Sequence, residues 1–180
     1  MPRIGEEFCI QRVISNGWDP IASSFFLVNS VGIIYSTTMD SIQLVLDTNI
    51  LVAALRSKRG ASFKLVSLIG TGRFQIHLSV PLVFKYEDVL RRQRRRLGRS
   101  LAEIKDFLDY LCRTAELHEV YFLWRPFLPD PDDDLVLDLA VNAGCSYIVT
   151  YNLRHFRGVD TFGIEAITAK TLLEKMGIIS

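Results

Sequence analysis

Three groups of polar residues interrupt apolar runs in this chain, and each offers oxygen ligands. Asp47, Thr48 and Asn49 sit in the middle of "IQLVLDTNILVAAL", residues 42–55. "DPDDD" packs four aspartates into residues 130–134, and Thr150 and Asn152 follow the apolar stretch "SYIV". Clustered aspartates suit Mg²⁺ or Mn²⁺, hard cations that prefer carboxylates and keep several waters. Carboxylates on one cleft floor repel each other unless a cation sits between them. A metal held that way activates water and stabilises charge developing on a phosphate. Each group also has a plain structural role. Asp47 fits a helix cap, the aspartates at 130–134 fit a helix start favoured by the dipole, and Asn152 fits a turn. Only their meeting in space distinguishes chemistry from capping.

The elements around these groups predict such a meeting. "IQLVLD" is a short, wholly apolar run that reads as a buried parallel strand, with Asp47 at its end. "ILVAALRS" and "ASFKLVSLIGTG" read as helices, the second closed by glycine near 70–72. "FQIHLS", 74–79, is the next strand, and a helix follows from Pro81 with Leu82, Val83, Tyr86, Val89 and Leu90 on one stripe. Residues 100–115 form an amphipathic helix whose Ser100 and Glu103 are spaced as a capping box. "HEVYFLW", 118–124, reads as a strand, "DDDLVLDLAVNAG" as a helix stopped by Gly144, and "SYIVT" and "GIEAIT" as strands before the helix "AKTLLEKMG". Alternating strands and helices give an α/β fold with a parallel sheet covered on both faces. In such sheets ligands bind beyond the carboxyl ends of the strands, where Asp47, the 130–134 aspartates and Thr150–Asn152 all fall.

Composition agrees with one globular domain. The 180 residues are 49% hydrophobic and 23% charged, with a formal charge of only +1. Net charge therefore predicts no polyanion partner, but local charge does: "RRQRRRLGR", residues 91–99, holds six arginines. Cys9, Cys112 and Cys145 are too few for a disulfide framework, and the three histidines are as scattered, so neither type suggests a metal cluster. A reducing, cytoplasmic setting fits. "ASSFFLVNSVGIIY", 22–35, is too short to cross a bilayer and lacks the pattern of a secretory signal. Residues 1–41 are assigned to an N-terminal extension, either an extra strand or hairpin or a stretch upstream of a start at Met39, and 42–180 to the domain.

"LVLDTNILVAAL", "VPLVFKYEDVL" and "DPDDDLVLDLAVNAGCSYIVTYNLRHF" together resemble a PIN domain, and more narrowly the toxin-like PIN subfamily of toxin–antitoxin systems. The resemblance covers roughly residues 42–176. It implies a three-layer α/β/α sandwich with a central, mainly parallel sheet, and a Mg²⁺- or Mn²⁺-dependent endoribonuclease with three or four acids at one sheet edge. The first acid falls on Asp47 and the third on Asp133, while Asp130 and Asp134 match positions that are often acidic or amide. The fourth falls on Asn152, whose carbonyl oxygen remains a ligand.

The second acid is missing: Lys85 stands at its place in "VFKYEDVL". Two unit charges about 4 Å apart interact by about 4 kcal/mol at an effective dielectric near 20, so even half of that weakens divalent-cation binding more than tenfold. Two nearby acids are substitutes. Asp88 lies about 60° from Lys85 around the helix, whereas Glu87 lies on the opposite flank. Two readings follow: a working ribonuclease, or a degenerate PIN fold that binds RNA or a protein, with Lys85 in the cation's place.

For a nucleic-acid substrate, Arg91, Arg92, Arg94, Arg95 and Arg96 are candidate phosphate contacts, joined by Arg154 beyond Asn152; a solvated helix tail is the alternative. His155 reads as a surface residue or one supporting the site rather than a general base, and Tyr121, Phe122, Trp124 and Phe127 as core or interface aromatics. The resemblance implies an antitoxin partner and pairing into a homodimer, with no membrane association.

Overall fold

The structure is a computed structural model that describes residues 41–121 and 123–179. The expectations for residues 1–40 and for Phe122 lie outside the described residues. Five strands, β1 (Ile42–Leu46), β2 (Phe74–Leu78), β3 (Glu116–Leu117), β4 (Tyr147–Val149) and β5 (Glu165–Ile167), form one sheet in the order β3-β2-β1-β4-β5. Every pairing is parallel. The helices are α1 (Thr48–Arg56), α2 (Ala61–Val66), α3 (Val80–Leu97), α4 (Leu101–Thr114), α5 (Pro131–Asn142) and α6 (Ala169–Lys175). Two 3-10 turns, Leu153–Phe156 and Val159–Phe162, join β4 to β5.

The chain runs from β1 through β2 to β3 in one direction across the sheet, then returns to β4 on the other side of β1. Right-handed crossovers in opposite directions lay their helices on opposite faces, which makes the three layers expected from the sequence. The return also places a switch point between β1 and β4, where the loops after the two strands diverge and leave a crevice.

β1 is the centre of the core. Leu44, Val45 and Leu46 are buried, as are Ile76, Leu78, Ile148 and Val149 on the flanking strands. α5 is buried almost all round from Asp133 to Ala140, which explains why its sequence shows little amphipathic contrast. The stripe expected on α3 is present at Leu82, Val83, Tyr86 and Leu90, but Val89 is only half-buried because it faces an open cleft. α3 ends at Gly98, whose φ of 62° is the left-handed conformation that a residue without Cβ adopts at low cost. The capping box is formed in both directions: Ser100 Oγ accepts from the Glu103 N–H, and Glu103 accepts from the Ser100 N–H.

One strand differs from expectation. The edge strand is Glu116–Leu117 rather than 118–124, because β2 ends at Leu78 and supplies no further partners. The His118 N–H to Leu78 C=O bond, 2.8 Å, closes the ladder. Beyond it, buried carboxylates of α5 satisfy the backbone instead. Asp138 Oδ1 accepts from the Trp124 N–H, and Asp134 Oδ1 accepts from the Leu128 N–H. The aromatics of this segment are not core residues: Tyr121, Trp124 and Phe127 are exposed, the last two meeting Phe162 edge-on.

The buried Tyr86 hydroxyl donates to the Leu46 carbonyl, tying α3 to the end of β1 just before Asp47. Tyr86→Phe removes that donor without changing the packing of the ring. It should lower stability by about 1–3 kcal/mol, the cost of leaving a buried polar group short of its partner, as read by urea unfolding at neutral pH.

Candidate functional site

The carboxyl edge of the sheet collects most of the predicted residues. Leu46 is in register with Val149, so the next residues, Asp47 and Thr150, emerge side by side at the switch point. The Asp47 N–H continues the ladder to the Val149 carbonyl at 2.9 Å. Asp47 occupies the N-cap position of α1, yet its side chain makes no capping bond. Its buried carboxylate instead accepts two bonds at Oδ2, from Thr150 Oγ1 at 2.7 Å and from Asn49 Nδ2 at 2.6 Å. Asn49 Nδ2 also reaches Thr150 Oγ1 at 3.0 Å, and the Tyr151 N–H donates to Asn49 Oδ1. In the residue next to Asp47, Thr48 Oγ1 is buried with no hydrogen-bond partner among the described residues.

Asp133 approaches from the N-terminal turn of α5, which runs antiparallel to the strands and so begins at this edge. It is 6% exposed. His155 Nδ1 lies 3.0 Å from its Oδ2, and Lys85 Nζ lies 3.9 Å from its Oδ1. Burial holds its pKa above the ordinary carboxylate value. The hydrogen bond with His155 opposes that shift, the charge of Asp47 adds to it, Lys85 opposes it and Asp130 adds to it. Asp47 and Asp133, far apart in sequence, thus both lie at the carboxyl edge of the sheet. Asp47 also raises the pKa of Tyr86, after the larger effect of burial.

The remaining predicted acids divide. Asp130 is the N-cap of α5, accepting the Asp132 N–H at 3.0 Å, and its carboxylate lies close enough to those of Asp133 and the His155 ring for the three to share one cation. Asp134 faces the other way: it is 1% exposed and holds the Leu128 N–H. Reading these acids as a solvated helix start fails for Asp133 and Asp134, which are both buried. Asn152 is exposed. Its backbone N–H donates to Thr150 Oγ1, and its carbonyl accepts the His155 N–H, so it shapes the turn that brings His155 to Asp133.

Lys85 points into the site. Its Nζ donates to the Asp132 carbonyl besides approaching Asp133. The substitute acids do not join it. Glu87 is buried against Arg91 Nη1 at 3.0 Å, and Asp88 is exposed against Arg92 Nη2 at 2.5 Å. Both line a separate surface cleft of about 440 Å³ with those arginines. Arg94, Arg95 and Arg96 are exposed in the last turn of α3, where cations also complement the helix dipole, and Arg154 is exposed beyond the site.

A cleft of about 610 Å³ opens beside Asn49, lined also by Arg56, Val89, Gln93 and Tyr151. Sequence reading missed Arg56 and Tyr151 as candidate substrate contacts. A signal was present: Tyr151 directly follows Thr150, and Arg56 ends the helix that Asp47 begins. It also missed Asp138, the acid one turn after Asp134 on the same face of α5, which holds Trp124 and Arg125.

The donor set fits a divalent cation, with carboxylate oxygens converging on a buried edge and one of the carboxylates destabilised by burial. With a chelator present, the raised pKa of Asp133 means stability that is complete below the ordinary value of 3.8 and lost as pH rises through the raised one. Asp133→Asn should remove that loss, so the variant gains stability on the parent between pH 4 and 7 on chemical unfolding; a constant difference across that range would contradict it.

A family model described as a PIN domain matches residues 43–154. Among solved structures, VapBC2 from Rickettsia felis bound to a DNA fragment from its promoter is similar at a TM-score of 0.50 and 14% identity. The similarity covers 69% of this chain and 98% of that one, and at this identity it supports the fold alone. No curated protein matches. With the family match spanning well over half of the 180 residues, the chain belongs to the PIN domain family.

Proposed function

We propose that this chain is a divalent-metal-dependent endoribonuclease and the toxin half of a toxin–antitoxin pair. The observation that carries the reading is the convergence of Asp47 and Asp133 at the β1–β4 switch point, each buried and each held by its own donors. Mg²⁺ or Mn²⁺ would be held by Asp47 and Asp133, with Asp130 at the rim. When bound, it supplies an activated water and neutralises charge on the scissile phosphate.

The residues of the chain do the rest. Thr150 and Asn49 fix the Asp47 carboxylate with neutral donors, leaving its charge uncompensated for a cation. His155 orients Asp133. The cleft beside Asn49 accepts the strand, with Arg56 available to a phosphate and the exposed Tyr151 ring to a base. Arg94, Arg95 and Arg96 extend the basic surface along α3. Lys85 to Arg96 spans roughly 16 Å at the α-helical rise, enough for several phosphates. Arg91 and Arg92 contribute less, because their charges are paired with Glu87 and Asp88. The antitoxin partner follows from the toxin-like sequence and from the VapBC2 assembly of the similar structure; the cytoplasmic setting and the homodimer remain part of the same proposal. Among the described residues no helix is long and apolar enough to cross a membrane.

A second reading rests on Lys85. Its ammonium lies 3.9 Å from Asp133 Oδ1 and is only 13% exposed, where it neutralises the carboxylate that a metal needs. On that reading the fold binds RNA or a protein without cutting.

Cleavage of a generic single-stranded RNA with Mn²⁺ separates the two readings. The ribonuclease reading expects the parent chain to cut, Asp47→Ala to lose at least a hundredfold in rate, and Lys85→Glu to cut at lower Mn²⁺. Cutting by Lys85→Glu alone would establish the second reading. Silence from all three would reject the ribonuclease assignment.

A further inference from the structure

Two of the three histidines, distant in sequence, meet on the other side of the sheet order. His77 on β2 is the register partner of Glu116 on β3, and His118 follows two residues later, so all three side chains share one face of the parallel pair. His77 Nδ1 lies 2.7 Å from His118 Nε2, and His118 Nε2 lies 3.7 Å from Glu116 Oε1. One ligand atom from each of the three falls within 4.8 Å of the others. We propose that His77, Glu116 and His118 form a binding site for a divalent transition cation of the Zn²⁺ class, distinct from the acidic centre.

The hydrogen bonds around His77 prepare it as a ligand. Gln43 Nε2 donates to the Ser41 carbonyl at 2.7 Å and to Ser41 Oγ at 2.8 Å, which turns Gln43 Oε1 toward His77 Nε2 at 2.6 Å. Oε1 can only accept, so His77 carries its proton on Nε2 and directs the Nδ1 lone pair at His118. A hydrogen bond from the second ring nitrogen to a fixed acceptor is the arrangement that orients metal-binding histidines. In the metal-free state the proton between the rings sits on His118 Nε2. Cation binding at Nε2 requires the other neutral tautomer, so that single His118 proton moves to Nδ1.

Burial, and then the neighbouring His118, push His77 down to about 4, and burial lowers His118 against the opposing charge of Glu116. Access is one-sided: His77 is 3% exposed, His118 is half-buried and Glu116 is exposed. Tetrahedral Zn–N bonds of about 2.0–2.1 Å set the two nitrogens about 3.3 Å apart, so the less buried His118 ring moves outward by roughly half an ångström. Two imidazoles and one carboxylate favour Zn²⁺, Co²⁺, Ni²⁺ or Cu²⁺ over Mg²⁺, which the mainly carboxylate set at the other site suits better.

Titration of the metal-free full chain with Co²⁺, followed by visible absorption, tests the site, because four-coordinate Co²⁺ absorbs far more strongly than the octahedral ion. The expected result is an intense band that one equivalent of Zn²⁺ abolishes and excess Mg²⁺ leaves intact. The band should persist in Asp47→Ala. His118→Ala and the exposed Glu116→Gln should weaken Co²⁺ binding at least tenfold, and Gln43→Ala about tenfold through loss of the orienting bond. No intense band in the parent chain, or unchanged affinity in both Glu116→Gln and His118→Ala, would leave the histidines as a hydrogen-bonded pair and overturn the proposal. The outcome is independent of whether the chain cleaves RNA.

Discussion

Two carboxylates, Asp47 and Asp133, are buried together at the carboxyl edge of this sheet, and their repulsion is the constraint around which the site is built. They are not relieved in the same way. Asp47 receives two neutral donors, Thr150 and Asn49, which fix its geometry while leaving its charge in place. Asp133 receives His155 and the ammonium of Lys85. Neutral donors stabilise a carboxylate without removing its attraction for a cation, whereas an ammonium at 3.9 Å competes with that cation directly. The two carboxylates therefore have different neighbours, neutral donors on the β1 side and an ammonium on the α5 side.

The rest of the architecture holds that asymmetry in place. α5 presents four acids in its first turn and N-cap, but it assigns them different work. Asp130 caps the helix and Asp133 faces the site. Asp134, with Asp138 one turn later, holds backbone N–H groups of the segment that follows β3. A helix N-terminus tolerates this density because its unpaired N–H groups and dipole favour negative charge. On the opposite side, Tyr86 fastens α3 to Leu46, so the helix that carries Lys85 and the strand that ends in Asp47 are joined one residue from the carboxylate. A shift of α3 would move the ammonium and the strand end together.

Much of this could be read from the sequence, for reasons that differ by residue. The parallel sheet followed from apolar runs alternating with helical stripes, and the strand-end rule then placed Asp47 and the α5 acids at one edge. The division within "DPDDD" could not be read, because neighbouring positions on a helix point 100° apart and only the packed partners decide which face is buried. The expected strand at 118–124 failed on a similar ground. Its residues are strand-like, but strand formation needs a neighbouring ladder, and β2 stops at Leu78. At Asp47 the sequence pattern allowed a helix cap, but the residue stands at the cap position without a side-chain capping bond.

The histidine pair shows the same limit at longer range. His77 and His118 look scattered in the chain because nothing local signals that β3 pairs with β2 in the register that sets His77 against Glu116. Once that register is known, period-two alternation brings His118 onto the same face. β1 then ties both donor sets to one rigid element. Gln43, which orients His77, and Asp47 lie on the same face of that strand, four residues or roughly 13 Å apart. On the proposed assignments, the Gln43 end supports nitrogen ligands that suit borderline cations and the Asp47 end presents oxygens that suit hard ones. The strand between them is buried at Leu44, Val45 and Leu46, and its packing holds the two ends at a fixed separation.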